Sequence, residues 1–232
     1  MPQFPFGFWQ AAGSPPPSSP TYGAEVMRTT PLGGTGGTQV YAFNASVSSG
    51  KRVVILVLGE AGQTPTSVTD DSTGGPNTWT VDTTNARSGV RVTIVSSQVT
   101  HAMTSANSIT VTYDVSGSYG RGAMGFTIDN VTSVETSSIA ATQNYGPDGN
   151  VSPVAVHSPS VLVGAVGSSY TNIPTNTTTV YGTISSGGSY NNNSYGLYCA
   201  AYYKNVAATG ANQIGVLFTL DNNYTAQGVY YY

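Results

Sequence analysis

Past its arginine, Arg52-Val-Val-Ile-Leu-Val-Leu58 is an unbroken apolar run of strand length. It is too short for a buried helix and rich in β-branched residues, so it is expected to be a central strand. Ser160-Val-Leu-Val-Gly-Ala-Val166 repeats the logic about a hundred residues later. Each is followed by a small-residue loop, as in VVILVLGEAG (53–62) and SVLVGAVGSS (160–169). That spacing fits two sheets or two half-sandwiches and not a short-period solenoid.

Shorter runs fill the intervals. Thr38–Val47 and Ser108–Tyr113 alternate polar with apolar; Asn77–Val81 and Val90–Val95 are β-branched; Gly122–Ile128 follows. In the second half come Thr177–Tyr181, Tyr195–Tyr203, Ile214–Leu220 and Ala226–Tyr232. The segments between are rich in Gly, Ser, Asn and Asp, the residues of turns. No long 3.6-residue periodicity appears. The expected fold is all-β: an antiparallel β-sandwich, jelly-roll-like, with about ten to twelve strands.

Charge then narrows the function. Only 7 Lys+Arg and 10 Asp+Glu occur in 232 residues, a charged fraction of 7% against roughly 25% in an ordinary domain. The net charge of −3 and the lack of a basic stripe argue against nucleic-acid binding. No apolar stretch is long enough for a membrane-spanning helix. The single Cys199 allows no internal disulfide framework and reads as a small buried hydrophobe.

Residues 1–20 differ from the rest. Phe4, Phe6, Phe8 and Trp9 crowd the first ten residues, and Ala11-Ala-Gly-Ser-Pro-Pro-Pro-Ser-Ser-Pro20 follows as a stiff spacer. The start lacks the basic region of a secretion signal, and its prolines interrupt any apolar helix. Alternation puts the three phenylalanines on one face of an extended strand. The expectation is an extended attachment arm over residues 1–20 and a sandwich domain over residues 21–232. The arm either docks onto a neighbouring subunit or larger particle, or folds back on its own domain; four aromatics left in water would make an unusual exposed patch.

Two resemblances bear on this. The segment 50–81, with Ser67-Val-Thr-Asp70 and Asn77-Thr-Trp79, together with Ile109-Thr-Val-Thr-Tyr113 and Val161-Leu-Val-Gly-Ala-Val166, resembles a pattern of bacterial and phage proteins that implies a β-sandwich and no particular activity. This chain departs from it by inserting Ser72-Thr-Gly-Gly-Pro76 where that pattern has a tight turn. Separately, MPQFPFGFWQAAG is similar to the openings of tailed-phage virion proteins. That likeness implies a structural role in capsid decoration (a cement protein) or in a tail or fibre appendage, assembly through the arm, a homotrimeric state, and a virion location.

The chemistry-bearing residues point the same way. His101 and His157 stand in no metal spacing, Cys199 has no basic context, and neither a G-x-S-x-G elbow nor a phosphate loop occurs. No catalytic residue, cofactor or metal is assigned, and the chain is read as non-enzymatic. Asp70, Asp71 and Asn77 are oxygen ligands of the kind Ca2+ takes, or Asx-turn caps at a strand end. Ten of the sixteen tyrosines lie from Tyr181 onward, beside Asn191-Asn-Asn-Ser194. Tyr190, Asn192, Tyr195, Tyr198 and Tyr202 are therefore candidates for contact with a subunit or a host-surface glycan, with core packing the simpler alternative. The leading expectation is a structural virion protein of a tailed phage; the second is a receptor- or carbohydrate-binding module.

Overall fold

The computed structural model describes residues 18–87, 89–115, 118–151, 154–168, 185–192, 197–212 and 214–232. Among these the chain forms β1 (Thr21–Thr35), β2 (Thr38–Ala42), β3 (Arg52–Gly59), β4 (Pro65–Asp70), β5 (Thr80–Arg87), β6 (Val90–Gln98), β7 (Ser108–Tyr113), β8 (Ser118–Asp129), β9 (Val134–Val151), β10 (Val154–Ala155), β11 (Ser160–Ser168), β12 (Ser185–Asn192), β13 (Leu197–Val206), β14 (Gly210–Ala211) and β15 (Ile214–Tyr231). No helix occurs among the described residues, and every ladder is antiparallel. The first of these strands begins at Thr21.

Three sheets build the body: β1-β8-β3-β6-β5, β2-β7-β4 and β12-β13-β11-β15-β9. The first two make a jelly roll. Its nested pairs are β1 with β8, β2 with β7 and β3 with β6, and the cross pairs β3 with β8 and β4 with β7 close it. One pair departs from the pattern. No ladder among the described residues joins β4 to β5; β5 instead forms a hairpin with β6, turned at Gly89 with φ 95°.

The order of layers explains the hydrophobic patterning. Val54, Leu56 and Leu58 of β3 pack with Val161, Val163 and Ala165 of β11, while Val53, Ile55 and Val57 turn the other way against Ile109 and Val111 of β7. The β1-β8-β3-β6-β5 sheet is thus the middle layer, and a strand buried on both faces must be apolar at every position. β7 lies in an outer sheet, and its strict alternation of half-buried and buried residues is the one-faced pattern. The echo between 53–62 and 160–169 has a structural meaning: β3 and β11 are each third of five in their sheets, and they meet across one core. The other face of β11 is also covered, with Leu162 and Val166 packed among Tyr202, Tyr224 and Tyr230.

Fifteen strands are present among the described residues where about ten to twelve were expected, two of them being the short ribbon of β10 and β14. β9 and β12, made largely of Ser, Thr, Asn and Gly, carry no apolar alternation to read. Asn77–Trp79, expected within a strand, belong to the loop before β5. The expected strand at Thr177–Tyr181 lies outside the described residues.

A buried cation sits between the middle sheet and the β2-β7-β4 sheet. Arg121 of β8 is 0% exposed. Its guanidinium lies 4.0 Å over the Tyr113 ring and donates to the Thr38 carbonyl at 3.3 Å. The Gln63 amide, with its oxygen turned to it, accepts from Nε at 3.2 Å and Nη2 at 2.7 Å. The Tyr113 hydroxyl meets that of Tyr41 at 3.0 Å. Burial pushes the Tyr113 phenol up to about 12, against the opposing pull of the Tyr41 bond and the Arg121 charge.

Two tests follow from this packing. At Gly167 of β11, an added Cβ would fall well inside contact distance of Val92 Cγ2 and meet Val90 Cγ2 at 3.1 Å. Gly167→Val should therefore cost about 1–3 kcal/mol by forcing the two sheets apart, seen as a lower urea midpoint with an unchanged m-value. On the alkaline side, Tyr113 ionises near pH 10 when unfolded but stays neutral when folded, so its contribution is complete below pH 10 and falls as pH rises toward 12. The loss should reach about 2–3 kcal/mol, and Tyr113→Phe should flatten that part of a stability-against-pH curve.

Candidate functional site

The arm residues Phe4, Phe6, Phe8 and Trp9 lie outside the described residues, so the site is built from where the arm joins the body. Pro20 is buried, while Ser18 and Ser19 are exposed. The Ser19 carbonyl accepts from Asn130 Nδ2 at 3.2 Å. Asn130 follows β8 with φ 59°, a left-handed conformation that asparagine tolerates better than most residues. Two clefts flank this root and share Pro20 and Pro159. One, of about 210 Å3, opens toward Thr21, Asn205 and Val206. The other, of about 240 Å3, is lined by Ser18, Asn130, His157 and Tyr232.

The walls of the second cleft are firmly held. The His157 ring stacks on Tyr232 with centroids 3.8 Å apart, and its Nδ1 lies 2.9 Å from Glu135 Oε2. The Tyr232 carbonyl accepts from the backbone N–H groups of Thr132 and Ser133, both at 2.8 Å. Side chains whose rotamers are fixed in this way offer a surface with little entropy to lose on contact. The cleft has apolar proline and aromatic walls and polar groups at its edge.

Of the tyrosine and asparagine candidates, only Tyr202 has a described side chain. Tyr190 and Asn192 lie on β12, opposite Cys199 and Leu197 of β13, and Tyr198 stands opposite Asn191; the side chains at these positions lie outside the described set. Tyr195 also lies outside the described residues. Tyr202 corrects its assignment as a contact residue: it is 0% exposed and packs with Leu162, Tyr224 and Tyr230. Its neighbours on β11 and β15 are buried too, so this tyrosine is core.

The Asp70–Asp71–Asn77 cluster is an internal brace. Asp70 accepts from the backbone N–H of Ser72 at 3.0 Å and of Asn77 at 2.8 Å, and from the Trp79 indole at 2.7 Å. Asp71 accepts from Ser108 N and Oγ at 2.7 and 2.9 Å and from Asn107 Nδ2 at 3.2 Å. Asn77 Oδ1 accepts from the N–H groups of Thr100 and His101 at 2.8 and 2.9 Å. These oxygens face donors, which is the arrangement of a capped loop and not of a cation cage. No group of three metal-binding side chains occurs among the described residues. Burial would raise the Asp70 carboxyl, but the bonds from Ser72, Trp79 and Asn77 outweigh it and hold the pKa low. Asp71 is held low chiefly by the Ser108 N–H.

Sequence reasoning passed over another acid. The Tyr231 hydroxyl donates to Asp82 Oδ2 at 2.6 Å, joining β15 to β5. Burial raises both groups, and the Asp82 charge further raises Tyr231. The partners are 149 residues apart, so no local spacing could have announced the pair. Comparison with known proteins adds no relative: no family model, curated protein or solved structure matches the chain.

The Asp70 brace gives a direct test. Asp70→Ala should lower stability at pH 7 by about 2 kcal/mol, since it leaves several loop donors without their acceptor. A carboxyl with a depressed folded pKa stabilises above its unfolded value, and that stabilisation is lost as pH falls through the folded one. The gap between parent and variant in urea midpoint should therefore narrow from pH 7 to pH 3.

Proposed function

We propose that the protein is a non-enzymatic structural component of a tailed-phage virion, a jelly-roll body held to the capsid or tail lattice by its arm, residues 1–20. The observation that carries this reading is the arm root. The body is bonded and packed up to Pro20 and Ser19, with two preformed clefts beside the point where an aromatic, proline-spaced segment joins it. The similarity of the opening sequence to tailed-phage virion proteins supplies the particle. A surface poor in charge, with 7% charged residues in the chain, suits a protein whose faces are covered by neighbours, since it has little electrostatic protection against association when free. A trimer, capsid decoration or a fibre-associated position are the forms this role takes in such particles.

The test starts with particles purified from the phage that encodes the chain. The protein should be present, and its copy number by quantitative gel should separate a lattice component, at hundreds of copies, from a fibre component at a handful. Deletion of residues 2–17 should abolish incorporation and leave the far-UV spectrum of the body unchanged. Binding of the full chain should vary little with salt, because few charges are available to screen. Full incorporation of the truncated protein, or a steep loss of binding with salt, would overturn the arm as the anchor.

A further inference from the structure

The missing β4–β5 ladder leaves an opening. Between the two strands lies a cleft of about 360 Å3, lined by Thr66, Ser67 and Val68 on one side and Trp79, Thr80 and Val81 on the other. That volume is within the range of about 300–1,000 Å3 common for ligand sites. Thr66, Ser67 and Thr80 are exposed, and Val81 is 42% exposed. Trp79 is half-buried against the core that β3 and β7 share. Its indole N–H is fixed on Asp70, which is itself held by the N–H groups of Ser72 and Asn77.

We infer that this cleft is a binding site for a neutral saccharide, with Trp79 as its stacking platform and Thr66, Ser67 and Thr80 as its hydrogen-bonding rim. No titratable side chain lines it, so nothing rewards a charged ligand. A pyranose offers an apolar C–H face and a ring of hydroxyls that both donate and accept. Trp79, Val68 and Val81 match the first; the Ser67 and Thr80 hydroxyls match the second, and Thr66, whose hydroxyl donates to the Thr112 carbonyl at 3.2 Å, adds an acceptor. The ring is already immobilised through Asp70, so a ligand stacking on it meets little rotamer entropy cost. The Asp70 oxygens are engaged by loop donors, which makes it a positioning residue and not a charge offered to the ligand. The cleft is open, so one or two sugar units can sit in it while a longer glycan continues into solvent. The inference is independent of the virion reading.

The experiment uses the full chain carrying Trp9→Phe, which leaves Trp79 as its one indole. It is titrated with gluco-, galacto- and manno-configured neutral oligosaccharides. At least one should shift the indole N–H resonance of Trp79 with a Kd of about 1 mM, and that sugar should receive saturation transfer from the protein. Ser67→Arg, at an exposed edge position that fills the cleft without touching the core, should weaken binding at least about tenfold. Trp79→Ala should abolish the saturation transfer. The inference is overturned if no oligosaccharide shifts the resonance at about 10 mM, or if Ser67→Arg binds as well as the parent. It is equally overturned if a synthetic peptide of residues 2–10 shifts the resonance while every sugar leaves it unmoved, which would make the cleft a strand-addition site.

Discussion

Burial of the middle sheet on both faces is the constraint on which the rest of this structure depends. Alternate residues of β3 feed two separate cores, so one eight-residue strand ties the β2-β7-β4 sheet to the sheet centred on β11. Each fully buried Val, Leu or Ile on such a strand contributes about 1.5–3 kcal/mol relative to exposure. Interior packing tolerates neither a void nor an extra methyl, which is why Gly167 faces Val90 and Val92 where the sheets approach. With so few charges available for ion pairs, the apolar layers and the backbone ladders carry the stability.

A few of the charged groups are tied into the fold. Arg121 is enclosed between sheets, Glu135 is 5% exposed, and Asp82 is bonded to a fully buried tyrosine. Asp70 and Asp71 organise the loops around β4 and β7 through charge-assisted bonds, which are stronger than neutral ones. The low charge count is therefore more than a neutral surface. Several ionisable groups serve as braces within the fold, while others, such as the Arg28–Glu25 and Lys51–Asp129 pairs, stay partly exposed.

Both proposed sites follow from this economy. The arm root is fixed by an asparagine, prolines and a stacked histidine–tyrosine pair, and the β4–β5 cleft by a tryptophan on a braced aspartate. In each, a ring is held before any partner arrives, which lowers the entropy cost of contact. The cleft exists because β5 pairs with β6 and leaves the jelly roll one ladder short of its nested set.

The sequence determined the fold class and the principal strands, because the two-residue period and the continuous apolar runs are local consequences of burial. Val53–Leu58 and Val161–Val166 read as core strands and Ser108–Tyr113 as one-faced, all from neighbours a few residues away. β9 and β12 were not legible, since polar strands are chosen by the edges they pair with and leave no pattern of their own. Tyr202 was a contact candidate because tyrosine serves core and surface alike; only its packing among Leu162, Tyr224 and Tyr230 decided. Trp79 was visible as a residue but not as a site, because the opening beside it comes from a ladder that fails to form. The Asp82–Tyr231 and Arg121–Tyr113 contacts join distant parts of the chain or separate strands, and their geometry depends on how three sheets stack. Local periodicity is written in the chain, whereas which faces are covered, and which edges stay open, is settled only when the layers meet.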